Sequence, residues 1–384
     1  MLPAARISAA IAVLDRVLAG TPLDPALTNW GRANRYAGSG DRAAIRDLVF
    51  DAWRCKRSYA ALGGAETGRG LMLGRLRAAG EDTAAVFTGN GHAPAAVTDA
   101  DAPRPASPSD SIDCPDWLAP RLQHSLGDDF TQIMQALQRR ASVFLRVNAA
   151  RSTPDAVIAL LAAEGIEAVA HPLAKTSLTV VTSSRKLLQT KAYLDGLFDL
   201  QDAASQAIVE DIPVATGQTV LDYCAGGGGK TLALAARLRS NIYAYDAEPA
   251  RMRDLPNRAK RAGAKIGILH SPAQHAPYDL VLVDAPCTGS GSWRRDPAGK
   301  WALTEARLAE LTALQALILD DAAPLVARNG VLAYVTCSLL ACENQDQIAG
   351  FLQRFPEWRQ TLQRRLTPLD GGDGFFLSVL TRIN

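Results

Sequence analysis

The sequence predicts an α/β chain ending in a parallel doubly wound sheet, with a small α/β unit and an all-helical part before it. Three observations predict this. From Thr219 onward, short apolar strand-like runs alternate with helical segments, as in a parallel sheet covered on both faces. The first of these runs passes straight through a glycine cluster, Gly226 to Gly229, into a helix of Leu and Ala. The opening part carries apolar residues at helical spacing instead, and the pattern changes near Asp116.

The bulk properties set the limits. A chain of 384 residues is too long for one ordinary core and implies two or three domains. At 48% hydrophobic and 21% charged it has a globular composition, and no apolar run approaches the roughly 20 residues a membrane helix needs. In Met1 to Gly20, Ile7, Ile11, Leu14 and Leu18 recur helically while Arg6, Asp15 and Arg16 interrupt any signal-peptide core, so a cytoplasmic protein with no membrane contact is expected. The net charge of +2 permits a nucleic-acid partner without demanding one. Six scattered cysteines without CxxC spacing and five unclustered histidines argue against a disulfide framework and against a metal site.

Taken in order, residues 1–91 read as helical: the amphipathic opening helix, a second capped by Asp41 with Ile45, Leu48, Val49, Ala52 and Trp53 on one face, and one or two more in the Gly/Ala-rich stretch from Gly63. Residues 92–115 gather Pro, Ala, Ser and Asp and read as a linker. Residues 116–200 read as the small α/β unit, with a strand at Val143–Val147, a helix opened by Thr153-Pro154-Asp155 through Leu161, and alternation near Leu178 to Val181 and Leu197 to Leu200. Its basic residues, Arg139, Arg140, Arg146, Arg151, Arg185, Lys186 and Lys191, suit either a solvated face or phosphate contact. Residues 201–384 form the sheet domain, with strands at Thr219–Cys224, Asn241–Asp246, Lys265–Leu269, Tyr278–Asp284 and Val331–Thr336, and a last one at Phe375–Leu380.

The loop Cys224-Ala225-Gly226-Gly227-Gly228-Gly229-Lys230-Thr231 lets backbone amides approach a ligand at the positive end of a helix. Two ligands compete for it. A Walker-type phosphate loop is satisfied at Gly229-Lys230-Thr231 but would need glycine where Cys224 stands. S-adenosylmethionine fits the loop together with Asp246, which ends a second strand where a carboxylate can accept ribose hydroxyls.

Asp284-Ala285-Pro286-Cys287 follows one apolar strand and Thr336-Cys337-Ser338 another, which puts two cysteines at the ligand-binding ends of sheet strands. That arrangement suits methylation of cytosine at carbon 5. The carbon is a poor nucleophile until a thiolate adds at carbon 6, so the difficult step is divided by a covalent adduct. A carboxyl group such as Asp284 can assist at the ring nitrogen and exocyclic amine, and a second thiol can help release the product.

On these motifs the chain resembles the Sun-type bacterial 16S ribosomal RNA cytosine-5 methyltransferases, within the NOL1/NOP2/Sun (RsmB/NOP) family. Gln201-Asp202-Ala203-Ala204-Ser205-Gln206 looks like the family's opening motif, Cys224 to Thr231 its cofactor loop, Asp284 to Cys287 its fourth motif, Thr336-Cys337-Ser338 with Glu343-Asn344 its sixth, and Gly372 to Phe376 its terminal strand. The resemblance implies a class I, Rossmann-like methyltransferase domain using S-adenosylmethionine, an RRM-like middle subdomain and a shortened NusB-like helical domain. It assigns the attacking thiolate to Cys337, product release to Cys287, and cofactor contacts to Cys224, Ala225, Gly226, Gly227, Gly228, Gly229, Lys230, Asp246 and Asp284. It places Arg294, Arg295 and Trp301 near RNA, and beside such a domain Arg146 and Arg151 become phosphate contacts. The implied partner is RNA, 16S ribosomal RNA first, and the implied state a monomer. Two departures stand out: the loop has Gly226-Gly227 where the family has Ala-Pro, and the third motif, Leu269-His270-Ser271-Pro272, lacks its acid. A non-catalytic RNA-binding assembly factor and a nucleotide hydrolase remain the competing classes. A DNA enzyme is a weaker reading, because it would leave Cys337 without a role.

Overall fold

The computed structural model describes residues 1–182, 184–238 and 240–383. The chain forms two compact units, one of Met1–Arg140 with Trp293–Leu303, the other of Ala141–Ser292 with Thr304 onward.

The first unit is helical, with Pro3–Leu18, Leu23–Ala33, Ser39–Arg54, Lys56–Gly63 and Gly68–Ala78 burying Ile7, Val13, Leu14, Ile45, Val49, Leu71 and Met72. Asp41 is not a cap. The helix Ser39–Arg54 begins after Gly38, and Asp41 lies inside its first turn, accepting from Arg6 Nε at 2.9 Å. The weak periodicity after Gly63 has a packing cause. A Cβ on Gly63 would lie 1.7 Å from the Gly70 carbonyl oxygen, and one on Gly74 1.9 Å from that of Tyr59, so two helices touch backbone to backbone. The stretch expected as a linker lies in this unit and is fastened to it: Arg69 pairs with Asp101 at 2.8 Å, Arg57 with Asp110 at 2.7 Å, and Asp113 accepts the Arg57 and Ser58 amides. The hydrogen bond from Arg69 holds the Asp101 carboxyl well below its ordinary value. Two helices beyond it, Ala119–Leu126 and Phe130–Leu137, also fall in this unit.

The second unit holds both sheets. The smaller comprises β1 (Val143–Val147), β2 (Ala168–Ala170), β3 (Ser177–Val180) and β4 (Phe198–Leu200) in the order β2-β3-β1-β4, all pairs antiparallel. Helix Pro154–Ala163 connects β1 to β2, capped by the Thr153 hydroxyl on the Ala156 amide, and Lys191–Leu194 connects β3 to β4. This is the βαββαβ, ferredoxin-like motif.

The larger sheet comprises β5 (Thr219–Asp222), β6 (Asn241–Ala244), β7 (Ile266–Ile268), β8 (Tyr278–Asp284), β9 (Val326–Thr336), β10 (Trp358–Leu366) and β11 (Phe375–Arg382), in the order β10-β11-β9-β8-β5-β6-β7. β11 runs antiparallel to both neighbours and the other pairings are parallel. Alternate residues feed two cores. Val220, Leu280, Leu282, Ala333 and Val335 face the layer containing Ile208 and Leu234, whereas Leu221, Val281, Val283, Leu332 and Tyr334 face the one containing Leu319 and Phe351. The strand order reverses between β5 and β8, and the crevice at their carboxyl ends is where such sheets bind ligands. β10 was not expected from the sequence, and β9 begins at Val326, five residues before the predicted start. Among the described residues, no helix is long and apolar enough to cross a membrane, and no cluster of His, Cys, Asp and Glu is placed to hold a metal ion.

Candidate functional site

A cavity of about 650 Å³ opens at the carboxyl ends of β5, β8 and β9. Its floor is the loop after β5. Gly226 (φ +48°) and Gly228 (φ +78°) hold left-handed backbone, and the Gly228 amide closes a turn on the Ala225 carbonyl. A Cβ on Gly228 would strike Leu255 Cδ1 at 2.2 Å. Cys224, Ala225, Gly226, Gly227, Gly229 and Lys230 line the cavity, while Gly228 turns towards Leu255. Burial pushes the Cys224 thiol far above its ordinary value, so it behaves as a small apolar group.

Asp246 stands just beyond β6, 3% exposed, with Oδ2 accepting the Gly226 amide and Oδ1 the Glu248 amide, both at 2.9 Å. It therefore braces the loop, and the acid lining the cavity here is Glu248, beside Arg251. Sequence reasoning missed Glu248; its signal was a second acid two residues past the strand-end aspartate. Beneath the loop, Asp222 accepts the Thr231 hydroxyl at 2.6 Å, and burial raises its carboxyl to about 7.

The opposite wall carries the reactive groups. Lys230 Nζ lies 2.7 Å from Asp284 Oδ2. Burial opposes the Lys230 charge, but Asp284, and then the Cys337 sulfur, hold its ammonium above the ordinary lysine value. The Cys287 and Cys337 sulfurs are 3.4 Å apart, and all six cysteines are free. The hydrogen bond with Cys337, followed by burial, drives the Cys287 thiol well above its usual range, so it stays protonated. Both strands aim their cysteines into one space because β8 and β9 pair in parallel to their ends, Asp284 opposite Val335. Gln201 and Ser205 complete the wall, joined at 3.2 Å, although sequence reasoning assigned them no contact.

The expected RNA contacts divide. Arg146 is a correction: β1 is buried along most of its length, Arg146 is 5% exposed, and it donates to the Leu232 carbonyl at 3.4 Å, so it packs within the unit instead of reaching phosphate. Burial lowers its guanidinium to about 10. Arg151 is exposed, but donates to the Asp195 and Arg261 carbonyls. Arg294, Arg295 and Trp301 belong to the first unit: Arg294 is buried, Arg295 is exposed, and Trp301 is half-buried with its indole N–H on the Trp53 carbonyl.

A family model described as 16S rRNA methyltransferase RsmB/F matches residues 212–380, and one described as the ferredoxin-like domain of RsmF/B-like methyltransferases matches residues 114–185. Ribosomal RNA small subunit methyltransferase B of Salmonella arizonae is 34% identical over 284 residues, covering 70% of this chain and 66% of that one; its namesake from Photorhabdus laumondii is 32% identical over the same span. The chain thus spans about two thirds of these relatives' length. Among solved structures, PH0851 superposes with a TM-score of 0.77 at 24% identity, over 100% of this chain and 99% of that one. A methyltransferase homologue from Pyrococcus horikoshii superposes at 0.63 and 26% identity, over 72% and 99%.

Proposed function

Because the chain belongs to the RsmB/F methyltransferase family, we propose that it is an RNA methyltransferase that transfers a methyl group from S-adenosylmethionine to carbon 5 of a cytosine, in 16S ribosomal RNA, through a covalent adduct on Cys337. The observation that carries this reading is the pair of thiols 3.4 Å apart beside the Lys230–Asp284 ion pair in one cavity. The small-subunit ribosomal RNA named for the relatives supports the substrate class.

The residues present suit the cofactor. The Cβ-free floor at Gly226 and Gly227 leads into the amino end of helix Gly229–Arg237, whose free amides favour a carboxylate, and Glu248 offers an acceptor for hydroxyls. When bound, S-adenosylmethionine supplies an electrophilic methyl group. The chain's own part is to make carbon 5 nucleophilic. Cys337, as thiolate, adds to carbon 6 and the displaced electron pair moves towards carbon 5 and the ring nitrogen. Lys230 donates to the ring nitrogen where that charge collects, and Asp284 accepts from the exocyclic amine and orients the base. After methylation the carbon–sulfur bond breaks and its electron pair returns to the Cys337 sulfur. That sulfur takes the Cys287 proton while Cys287 takes the proton leaving carbon 5, so both thiols end protonated.

Replacing Cys337 with Ala is expected to abolish methylation. Cys287→Ala is expected to accumulate an RNA–protein adduct that survives denaturing gels, because attack persists and release fails. Bisulfite sequencing of RNA from cells lacking the gene would name the cytosine. An active Cys337→Ala protein would overturn the adduct mechanism, and retention of every 5-methylcytosine would overturn the substrate class.

A further inference from the structure

Two thiols held 3.4 Å apart need a reason to stay there, because both stand on loops just past the strand ends. That reason is a carboxylate with no role in the mechanism above. Glu343 is 0% exposed, in the turn between β9 and helix Gln345–Arg354. Its Oε1 accepts the Thr288 amide at 2.8 Å and Gln315 Nε2 at 3.0 Å. Its Oε2 accepts the Thr288 and Ser338 hydroxyls, each at 2.5 Å. Thr288 directly follows Cys287, and Ser338 directly follows Cys337. One buried carboxylate therefore grips the residue after each thiol.

The surroundings tighten the grip. Gln315 also donates to the Pro286 carbonyl at 2.8 Å, on the other side of Cys287. Tyr334 donates its hydroxyl to the Glu343 carbonyl, and Asn344 binds the Thr336 hydroxyl and the Ser338 carbonyl on either side of Cys337. An ionised carboxylate has about four acceptor positions, and four neutral donors occupy them. Burying such a group without full hydrogen bonding would be costly.

We propose that Glu343 is the positioning residue of the thiol pair, setting the separation and facing of Cys287 and Cys337 by clamping the loops that follow them. Its chemical consequence rests on the methyltransferase reading: without the clamp, Cys337 still attacks, but Cys287 no longer meets the adduct in time to exchange protons.

The test separates geometry from chemistry. Phenylarsine oxide bridges two sulfurs only when both lie within reach of one arsenic atom, and needs neither RNA nor cofactor. The full chain is expected to bind one arsenical lost in both Cys287→Ala and Cys337→Ala, and native mass spectrometry reads it. Glu343→Ala should lose that arsenical while single-thiol alkylation by iodoacetamide continues, with Glu343→Gln intermediate. Thr288→Val and Ser338→Ala, which each remove one hydroxyl, should weaken uptake in the same direction, and they carry the test if Glu343→Ala unfolds. In turnover, Glu343→Gln should lower kcat about 100-fold with KM for RNA little changed, the cost of misplacing a reacting group by roughly 1 Å, and adduct should accumulate. Native arsenical uptake in a folded Glu343→Ala chain, or a fall confined to KM, would overturn the clamp. A protein that shows the arsenical pattern but methylates no RNA would overturn the functional reading and leave the clamp standing.

Discussion

Asp222 lies buried beneath the glycine loop. Oδ2 accepts the Thr231 hydroxyl, Oδ1 has no partner, and burial lifts its carboxyl from 3.8 to about 7. The folded chain thus keeps a proton that the unfolded chain gives up near pH 4. Stability from this group is complete below that pH and is lost as pH climbs through about 7, by up to ~1.4 kcal/mol per pH unit. Denaturant titrations between pH 5 and 8 should show that decline in the native protein and a flatter profile in Asp222→Asn; equal slopes would refute it. Single residues were legible where position repeats: Cys287 and Cys337 each follow an apolar strand, and their sulfurs lie 3.4 Å apart. Glu343 and Glu248 did not, since an acid in a loop carries no pattern until its donors are seen. Arg146 misled because a charge in sequence does not reveal that its strand is buried along most of its length.

Among the elements, helix Leu255–Ala262 tethers the glycine loop. Arg258 donates to the Gly227 carbonyl and pairs with Asp199 of β4 at 2.8 Å, and Arg261 joins the same carboxylate at 3.2 Å. Gly227 stands where the family loop has proline, so a tethered carbonyl restrains a backbone that the ring would otherwise stiffen. Arg258→Ala should weaken S-adenosylmethionine binding about tenfold, the worth of a hydrogen bond to a charged group, with kcat at saturating cofactor little altered. Calorimetry checks the first and steady-state kinetics the second. Strands β5 and β8 were readable because consecutive residues, Val220-Leu221 and Leu280 to Val283, put apolar side chains on both faces. β10 was not: it pairs only with β11, and its Arg359, Gln360, Gln363, Arg364 and Arg365 give an edge strand's polarity instead of an alternation.

At the level of the whole molecule, the sequence order of parts is not the order in which they pack. Strand–helix alternation revealed strands of both sheets, because each of those strands carries its own apolar run. It could not reveal that Trp293–Leu303 folds with the helical unit, since that pairing is non-local. In this unit Lys300, 2% exposed, donates to the Arg54 carbonyl, and Trp301 donates to that of Trp53. A chain of residues 141–384 alone deprives this segment of those acceptors. Limited proteolysis should then cut first between residues 293 and 303, a site resistant in the full chain; equal resistance in both would show that the segment holds its own shape.

That borrowed segment also sets a schedule. The helical unit takes in residues 1–140 but is complete only with Leu303, roughly 160 residues later, a delay on the order of 10–30 s at ordinary synthesis rates. Until then Arg54 and Trp53 wait with their carbonyls open while the sheets emerge from the ribosome behind them. The helical unit therefore closes only after residues 141–292 of the other unit have been made.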